Sequence, residues 1–237
     1  MKKFSLILLL GILWIPLFTQ ISIAQKKSKK DFLITVSTDK GDIQLILYES
    51  TPKHRANFLK LVQEGFYKDL LFHRVIQDFM IQGGDPESKN AKPGQRLGSG
   101  GLDYRVDAEF LPELFHKKGA LAAARDGNPE KASSSCQFYI VQGKKSTDQE
   151  LEMIEKRNNI TYTEEQKKIY KEVGGTPFLD QNYTVFGEVI AGLDVLDKIA
   201  DVEKDASDRP KEDVKMNITA KEMSKKKITK LYGYVYE

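Results

Sequence analysis

The sequence predicts a mostly β fold, a closed antiparallel barrel with helices over its ends. Many short apolar segments, tight glycine-marked turns and two separated amphipathic helical stretches carry that prediction. Residues 32–38 and 42–48 alternate apolar and polar side chains around Asp39-Lys40-Gly41, the pattern of a β-hairpin. Thr51-Pro52 then offers an N-cap and a proline in the first turn. Ala56, Phe58, Leu59, Leu61 and Val62 follow at helical spacing, and Gly65 closes the segment. Residues 70–76, 79–82, 119–124, 137–141 and 183–189 read as further strands. Residues 193–200 read as a second short helix, and 214–220 and 228–235 as strands that finish the sheet.

Two regions break this rhythm. Gly83-Gly84-Asp85-Pro86 opens a polar stretch that runs through Gly98-Ser99-Gly100-Gly101, too long for a turn and expected to be a functional surface loop. Residues 143–176 are charged and poor in β-branched side chains. Thr163-Glu164-Glu165-Gln166 fits a capping box before a helix ending near Gly174-Gly175, so 143–176 is expected to be a helical insertion.

The chain of 237 residues starts with a short basic stretch, Met1-Lys2-Lys3, followed by an almost unbroken apolar run at 4–18. Ser22 and Ala24 stand where a cleavage site wants small residues. Residues 1–24 thus read as a secretory signal peptide, with export to the periplasm or beyond. The alternative is an uncleaved anchor, since a span needs about 20 residues. Contact with membrane is expected only in that case. Residues 25–31 read as a basic linker and 32–237 as one domain.

Losing Lys2 and Lys3 lowers the formal charge from +3 to +1, a balance that calls for no nucleic-acid partner. Cys136 is the single cysteine, so the fold has no intrachain disulfide, and it reads as a buried small hydrophobe. His54, His73 and His116 share no metal-ligand spacing, so neither metal nor cofactor is expected. Ser133-Ser134-Ser135 lacks a nucleophile-elbow frame, and the glycines of the long loop lack the context of a phosphate cradle.

One segment is specific: Phe72-His73-Arg74-Val75-Ile76 continuing to Phe79-Met80-Ile81-Gln82-Gly83-Gly84-Asp85. It resembles the signature of the cyclophilin-type peptidyl-prolyl cis-trans isomerases. Ala122-Ala123-Ala124-Arg125, Ser134-Ser135-Cys136-Gln137-Phe138-Tyr139-Ile140 and Phe178-Leu179-Asp180 through Phe186-Gly187 follow in that family's order. The resemblance covers 32–220 apart from the insertion. It implies an eight-stranded antiparallel barrel capped by two α-helices, acting on X-Pro bonds in peptides and in unfolded or folding proteins, as a monomer.

Residue by residue, the resemblance makes Arg74 the catalytic arginine and Gln82 its neighbour on the substrate backbone. Phe79, Met80, Tyr139 and Leu179 are expected to line a dry proline pocket. The backbone around Ala124 and Arg125, with Gln137, is expected to hold the preceding residues extended, and Phe178 and Tyr183 to sit on the rim. Rotation about a peptide bond is opposed by amide resonance, a barrier of about 18–20 kcal/mol. No covalent bond breaks, so no nucleophile, base or metal is needed. The twisted amide frees the prolyl nitrogen's lone pair, and a fixed cationic donor beside it favours the twisted over the planar form.

Arg74 read alone is an ordinary surface ion-pair partner, and Phe79, Met80 and Leu179 read alone are core. His73 alternates with Arg74 and so is expected on the opposite face of its strand. Three positions depart from the family's best-known members. Tyr139 stands in place of Phe, which puts a hydroxyl at the pocket floor. Phe178 replaces Trp, and Tyr183 stands where many members have His. Two other readings stay open: a proline-recognising chaperone without turnover, and an insertion that docks a partner protein.

Overall fold

The structure is a computed structural model that describes residues 28–236, so the expected leader at 1–24 lies outside the described residues. In chain order the elements are β1 (Lys30–Thr38), β2 (Gly41–Leu47), α1 (Pro52–Gln63), β3 (Leu70–Ile76) and β4 (Met80–Gly83). The long loop holds a 3-10 turn at Pro86–Asn90 and β5 (Arg105–Val106). Next come β6 (Ala120–Ala123), β7 (Ser133–Ser134), β8 (Phe138–Val141), α2 (Asp148–Asn158) and α3 (Glu164–Glu172). A 3-10 turn at Pro177–Leu179, β9 (Val185–Ala191), α4 (Leu193–Ala200), β10 (Lys215–Ser224) and α5 (Lys225–Tyr232) complete the chain.

Eight strands close a barrel in the order β1-β10-β3-β4-β8-β6-β9-β2, while β5 and β7 form a small separate pair. Every neighbouring pair is antiparallel. Closure pairs the backbone groups that an open edge would expose. The interior is filled by side chains from alternate strand positions, including Ile34, Val36, Ile43, Leu45, Val75, Ile81, Leu121 and Ile140, all fully buried. The helix α1 adds Phe58, Leu61 and Val62 to this core, and α4 adds Val195, Leu196, Ile199 and Ala200. Phe58 meets Tyr67, Phe138 and Phe186 at centroid distances of 5.1–5.4 Å, a tilted and edge-on arrangement that aromatic quadrupoles favour. Cys136 is 1% exposed and sits in the same cluster.

Four expectations need correction. Residues 228–235 do not finish the sheet: β10 already closes the barrel, Ser224 caps the next turn, and α5 buries Ile228 against the β1–β10 side. The insertion holds two helices rather than one, each opened by a capping box, Thr147 with Glu150 and Thr163 with Gln166. The linker ends early, because Lys30 and Asp31 already belong to β1, and Asp31 is buried against Arg55 at 2.7 Å. Finally, the Thr51 side chain does not cap α1. The carboxylate of Glu109 does so instead, accepting the Lys53 and His54 amides at 3.0 and 2.9 Å.

Candidate active site

Strand pairing sets out the site. Arg74 on β3 pairs with Gln82 on β4, Gln82 with Tyr139 on β8, and Tyr139 with Ala122 on β6. Paired residues share a face of the sheet, so these four form one row across the outside of the barrel. Their neighbours in sequence form the opposite row, with Val75 paired to Ile81 and Ile140 paired to Ile81 and Leu121, inside the core. The outer face carries its own apolar cluster. Met80, Ala120, Ala122, Ala124, Tyr139, Val141 and Val185 are buried there, with Phe79, Leu179 and Tyr183 packed against them.

A pocket of about 170 Å³ opens in that cluster. It is lined by Arg74, Phe79, Met80, Gln82, Ala124, Arg125, Tyr139, Leu179 and Tyr183, so the structure brings together nine of the eleven expected site residues. Phe178 sits at its edge, 44% exposed, its ring centroid 5.6 Å from that of Phe79. Gln137 is buried beside it and accepts the Gln82 side-chain amide at 3.0 Å. Its own amide donates to the carbonyls of Gly98 and Gly100 at 3.0 and 2.7 Å, which ties the long loop to the site.

The Arg74 side chain is 43% exposed and donates to Gln82 Oε1 at 3.4 Å. Its ion pair with Asp208 is long, at 3.9 Å. A guanidinium has five N–H donors, and these two contacts leave most of them without a partner among the described residues, on a side chain that lines the pocket. The row also brings Arg125 over the Tyr183 ring, 4.6 Å from its centroid. The Arg125 side chain is held by the carbonyls of Asn182 and Asp126 at 2.8 and 2.9 Å. The Ala124 amide is already committed to the Gln137 carbonyl at 3.0 Å, and its carbonyl accepts from Ser134 at 2.8 Å. The backbone N–H and C=O of Arg125, by contrast, bond none of the described residues.

Tyr139 departs from the expectation in one respect. Its ring lines the pocket, but its hydroxyl lies 2.9 Å from Nε2 of the fully buried His116. Burial pushes this phenol well above the ordinary tyrosine range, so it stays neutral. The floor offered to a ligand is thus the face of an aromatic ring and not a hydroxyl. His73 does not take the opposite face expected of it: β3 shifts register between Phe72 and Arg74, and His73, 3% exposed, lines one cavity together with Arg74 and Gln82, its ring nitrogens bonding none of the described residues. Burial lowers its pKa to about 4.

The sequence reasoning did not name the residues that extend the site. A second cavity of about 440 Å³ shares Gln82, Ala124 and Arg125 with the first and is walled by Gln137, Gly98 to Leu102, Tyr104, Arg105 and Asp126. A third, of about 690 Å³, shares Arg74 and Gln82 and is walled by Gly94 to Ser99 and Asp205 to Ser207. Gln82 belongs to all three. The glycine-rich loop was the available signal for this segment, whose residues wall both cavities, but it did not give the residues.

Residues 33–220 match the family described as cyclophilin type peptidyl-prolyl cis-trans isomerase/CLD. A Staphylococcus haemolyticus protein provisionally named as a peptidyl-prolyl cis-trans isomerase is 37% identical over 182 residues, 76% of this chain and 86% of that one. A Streptococcus pyogenes protein provisionally named as a bifunctional phosphatase/peptidyl-prolyl cis-trans isomerase is 41% identical over 189 residues, 76% of this chain but 37% of that longer one. Among solved structures, a Cryptosporidium parvum cyclophilin type peptidyl-prolyl cis-trans isomerase superposes with a TM-score of 0.61 at 26% identity, over 81% of this chain and 98% of that one. The same protein in the presence of the dipeptide Ala-Pro gives 0.58. With the barrel closed and the signature residues gathered on one outer row, this chain belongs to the cyclophilin-type peptidyl-prolyl cis-trans isomerases.

Proposed function

We propose that this isomerase turns X-Pro bonds in exported proteins as they fold, with Arg74 stabilising the twisted amide. The carrying observation is the cross-strand row in which Arg74 and Gln82 flank an apolar pocket floored by the Tyr139 ring. A prolyl ring seated on that floor between Phe79, Met80 and Leu179 is a fixed handle. The residue before proline then runs along Arg125 and Gln137, and Gln82 steadies the carbonyl that rotates. As the bond twists, the prolyl nitrogen becomes an acceptor within reach of the Arg74 donors. That contact is absent from the planar ground state, so it lowers the barrier rather than merely tightening binding. The apolar run at 4–18 and the small residues Ser22 and Ala24 support action outside the cytoplasm.

The test is a proline-limited refolding assay and a peptide isomerisation assay with wild type and Arg74→Ala. Loss of one preorganised donor costs about 10²–10³ in rate, or about 2.7–4 kcal/mol. Equal rates in the two proteins overturn the mechanism. Mass spectrometry of the protein recovered from extracytoplasmic fractions is expected to show Gln25 as the first residue. A cytoplasmic full-length chain refutes the export reading.

A further inference from the structure

The helical insertion is wired into the floor of the proline pocket. Its two tyrosines, Tyr162 and Tyr170, are 5% and 0% exposed, and both hydroxyls converge on Oδ2 of Asp180, at 2.8 and 2.6 Å. Tyr162 divides its single hydrogen between that oxygen and the Pro177 carbonyl at 2.9 Å, whereas Tyr170 serves Asp180 alone. The other oxygen of Asp180 accepts the backbone N–H of His116 at 2.9 Å and lies 2.7 Å from His116 Nδ1. His116 Nε2 meets the Tyr139 hydroxyl, and the two rings stack with centroids 6.0 Å apart at 13°. With Nδ1–H given to Asp180, Nε2 accepts, and Tyr139 donates.

Every group in this chain is buried, so water offers no substitute partner when one link moves. Asp180 and Tyr139 come from the barrel side and the tyrosines from α3 and the segment before it, so the network crosses from insertion to pocket. The Tyr139 hydroxyl is its terminal point, held on the side away from the ligand. The outward faces of α2 and α3 read as solvated helix. The inward faces have a specific target.

We propose that Tyr170 and Tyr162 are positioning residues: the insertion, acting through Asp180 and His116, seats the Tyr139 ring and so sets this enzyme's affinity for the prolyl ring. The proposal rests on the isomerase reading of the same pocket. Tyr170→Phe keeps the ring and removes the hydroxyl that serves Asp180 alone. Steady-state isomerisation gives kcat and KM, and calorimetry gives Kd for an Ala-Pro peptide, which is informative whatever the turnover. The expected result for Tyr170→Phe is a rise of about three- to tenfold in both KM and Kd with kcat within about twofold, the size that mutations along a coupled network produce. In a Tyr139→Phe background, where the relay has no hydroxyl to hold, the same substitution is expected to change Kd by less than about twofold. A merely structural role lowers Tm and leaves Kd unchanged at temperatures where both proteins are folded. An unchanged Kd in Tyr170→Phe, or an effect that persists in full in the Tyr139→Phe background, overturns the proposal. Should Tyr170→Phe not fold, Tyr162→Phe is put through the same cycle with the same expected pattern. A wild type that binds the peptide but shows no Arg74-dependent turnover removes the isomerase mechanism and leaves the relay to be judged on Kd.

Discussion

Acid stability offers a quantitative handle on the buried His73. Burial holds its pKa at about 4, against an ordinary value of 6.5, with Asp85 opposing the shift and Arg74 adding to it. A base with a depressed folded-state pKa contributes its stabilisation fully above the unfolded value and loses it as pH falls towards the folded one. The window is therefore pH 6.5 down to about 4. One pKa unit is worth about 1.4 kcal/mol, so by pH 4.5 the loss from His73 alone amounts to roughly 2–3 kcal/mol. The perturbation is His73→Leu, which removes a titrating ring whose nitrogens bond none of the described residues. Urea unfolding at pH 7, 5.5 and 4.5 is the assay. Wild type is expected to lose about 1 M more in midpoint than the variant between pH 7 and 4.5, taking a urea slope of about 2 kcal/mol per molar. His54, also lowered by burial though opposed by Glu109, weakens both proteins in the same direction and cancels in the difference. Midpoints that fall in parallel refute the assignment.

Glu109→Gln is expected to cost about 1–3 kcal/mol of unfolding free energy, because one carboxylate serves both the start of α1 and the buried His54 ring. Burial alone would raise this carboxyl's pKa, but the hydrogen bonds from His54 and Lys53 outweigh it and hold it below the ordinary value. Its contribution therefore fades as pH falls below about 4.5, which thermal melts across that range would check. Phe178 at the rim lacks an indole N–H, so the family's cyclic-peptide inhibitor is expected to bind more weakly than nanomolar. Phe178→Trp should tighten it, and nanomolar affinity in the wild type sinks the idea.

The barrel strands were legible because each carries a period of two or a short apolar run bounded by glycine or proline. Residues 228–235 misled because Tyr232, Tyr234 and Val235 favour strands individually, while the spacing of Ile228, Leu231 and Tyr232 is helical and was the better guide. The helix α2 was missed although Thr147 and Glu150 spell a capping box, since only Leu151 of its residues is buried and the apolar signal is thin. In the site, the signature segments placed nine of eleven residues in one pocket. What they could not place were contacts between distant segments. Glu109 caps a helix more than fifty positions upstream, and the Tyr139 hydroxyl finds His116, which only the folded barrel brings beside it. Side-chain direction at a familiar position depends on such partners, so a single Phe-to-Tyr difference was read as a polar floor.

The two rows that cross β3, β4, β8 and β6 differ by one residue in register. A slip of one position in β3, β4 or β8 would turn that strand's member of the outer row, Arg74, Gln82 or Tyr139, inward and push its core neighbour, Val75, Ile81 or Ile140, out. Burying a guanidinium in that interior is prohibitive, so Arg74 acts as a lock on the alignment of the strand that bears it. On the proposed mechanism, folding and catalysis are thus proofread by the same residue: a barrel misaligned at β3 would be at once inactive and unstable.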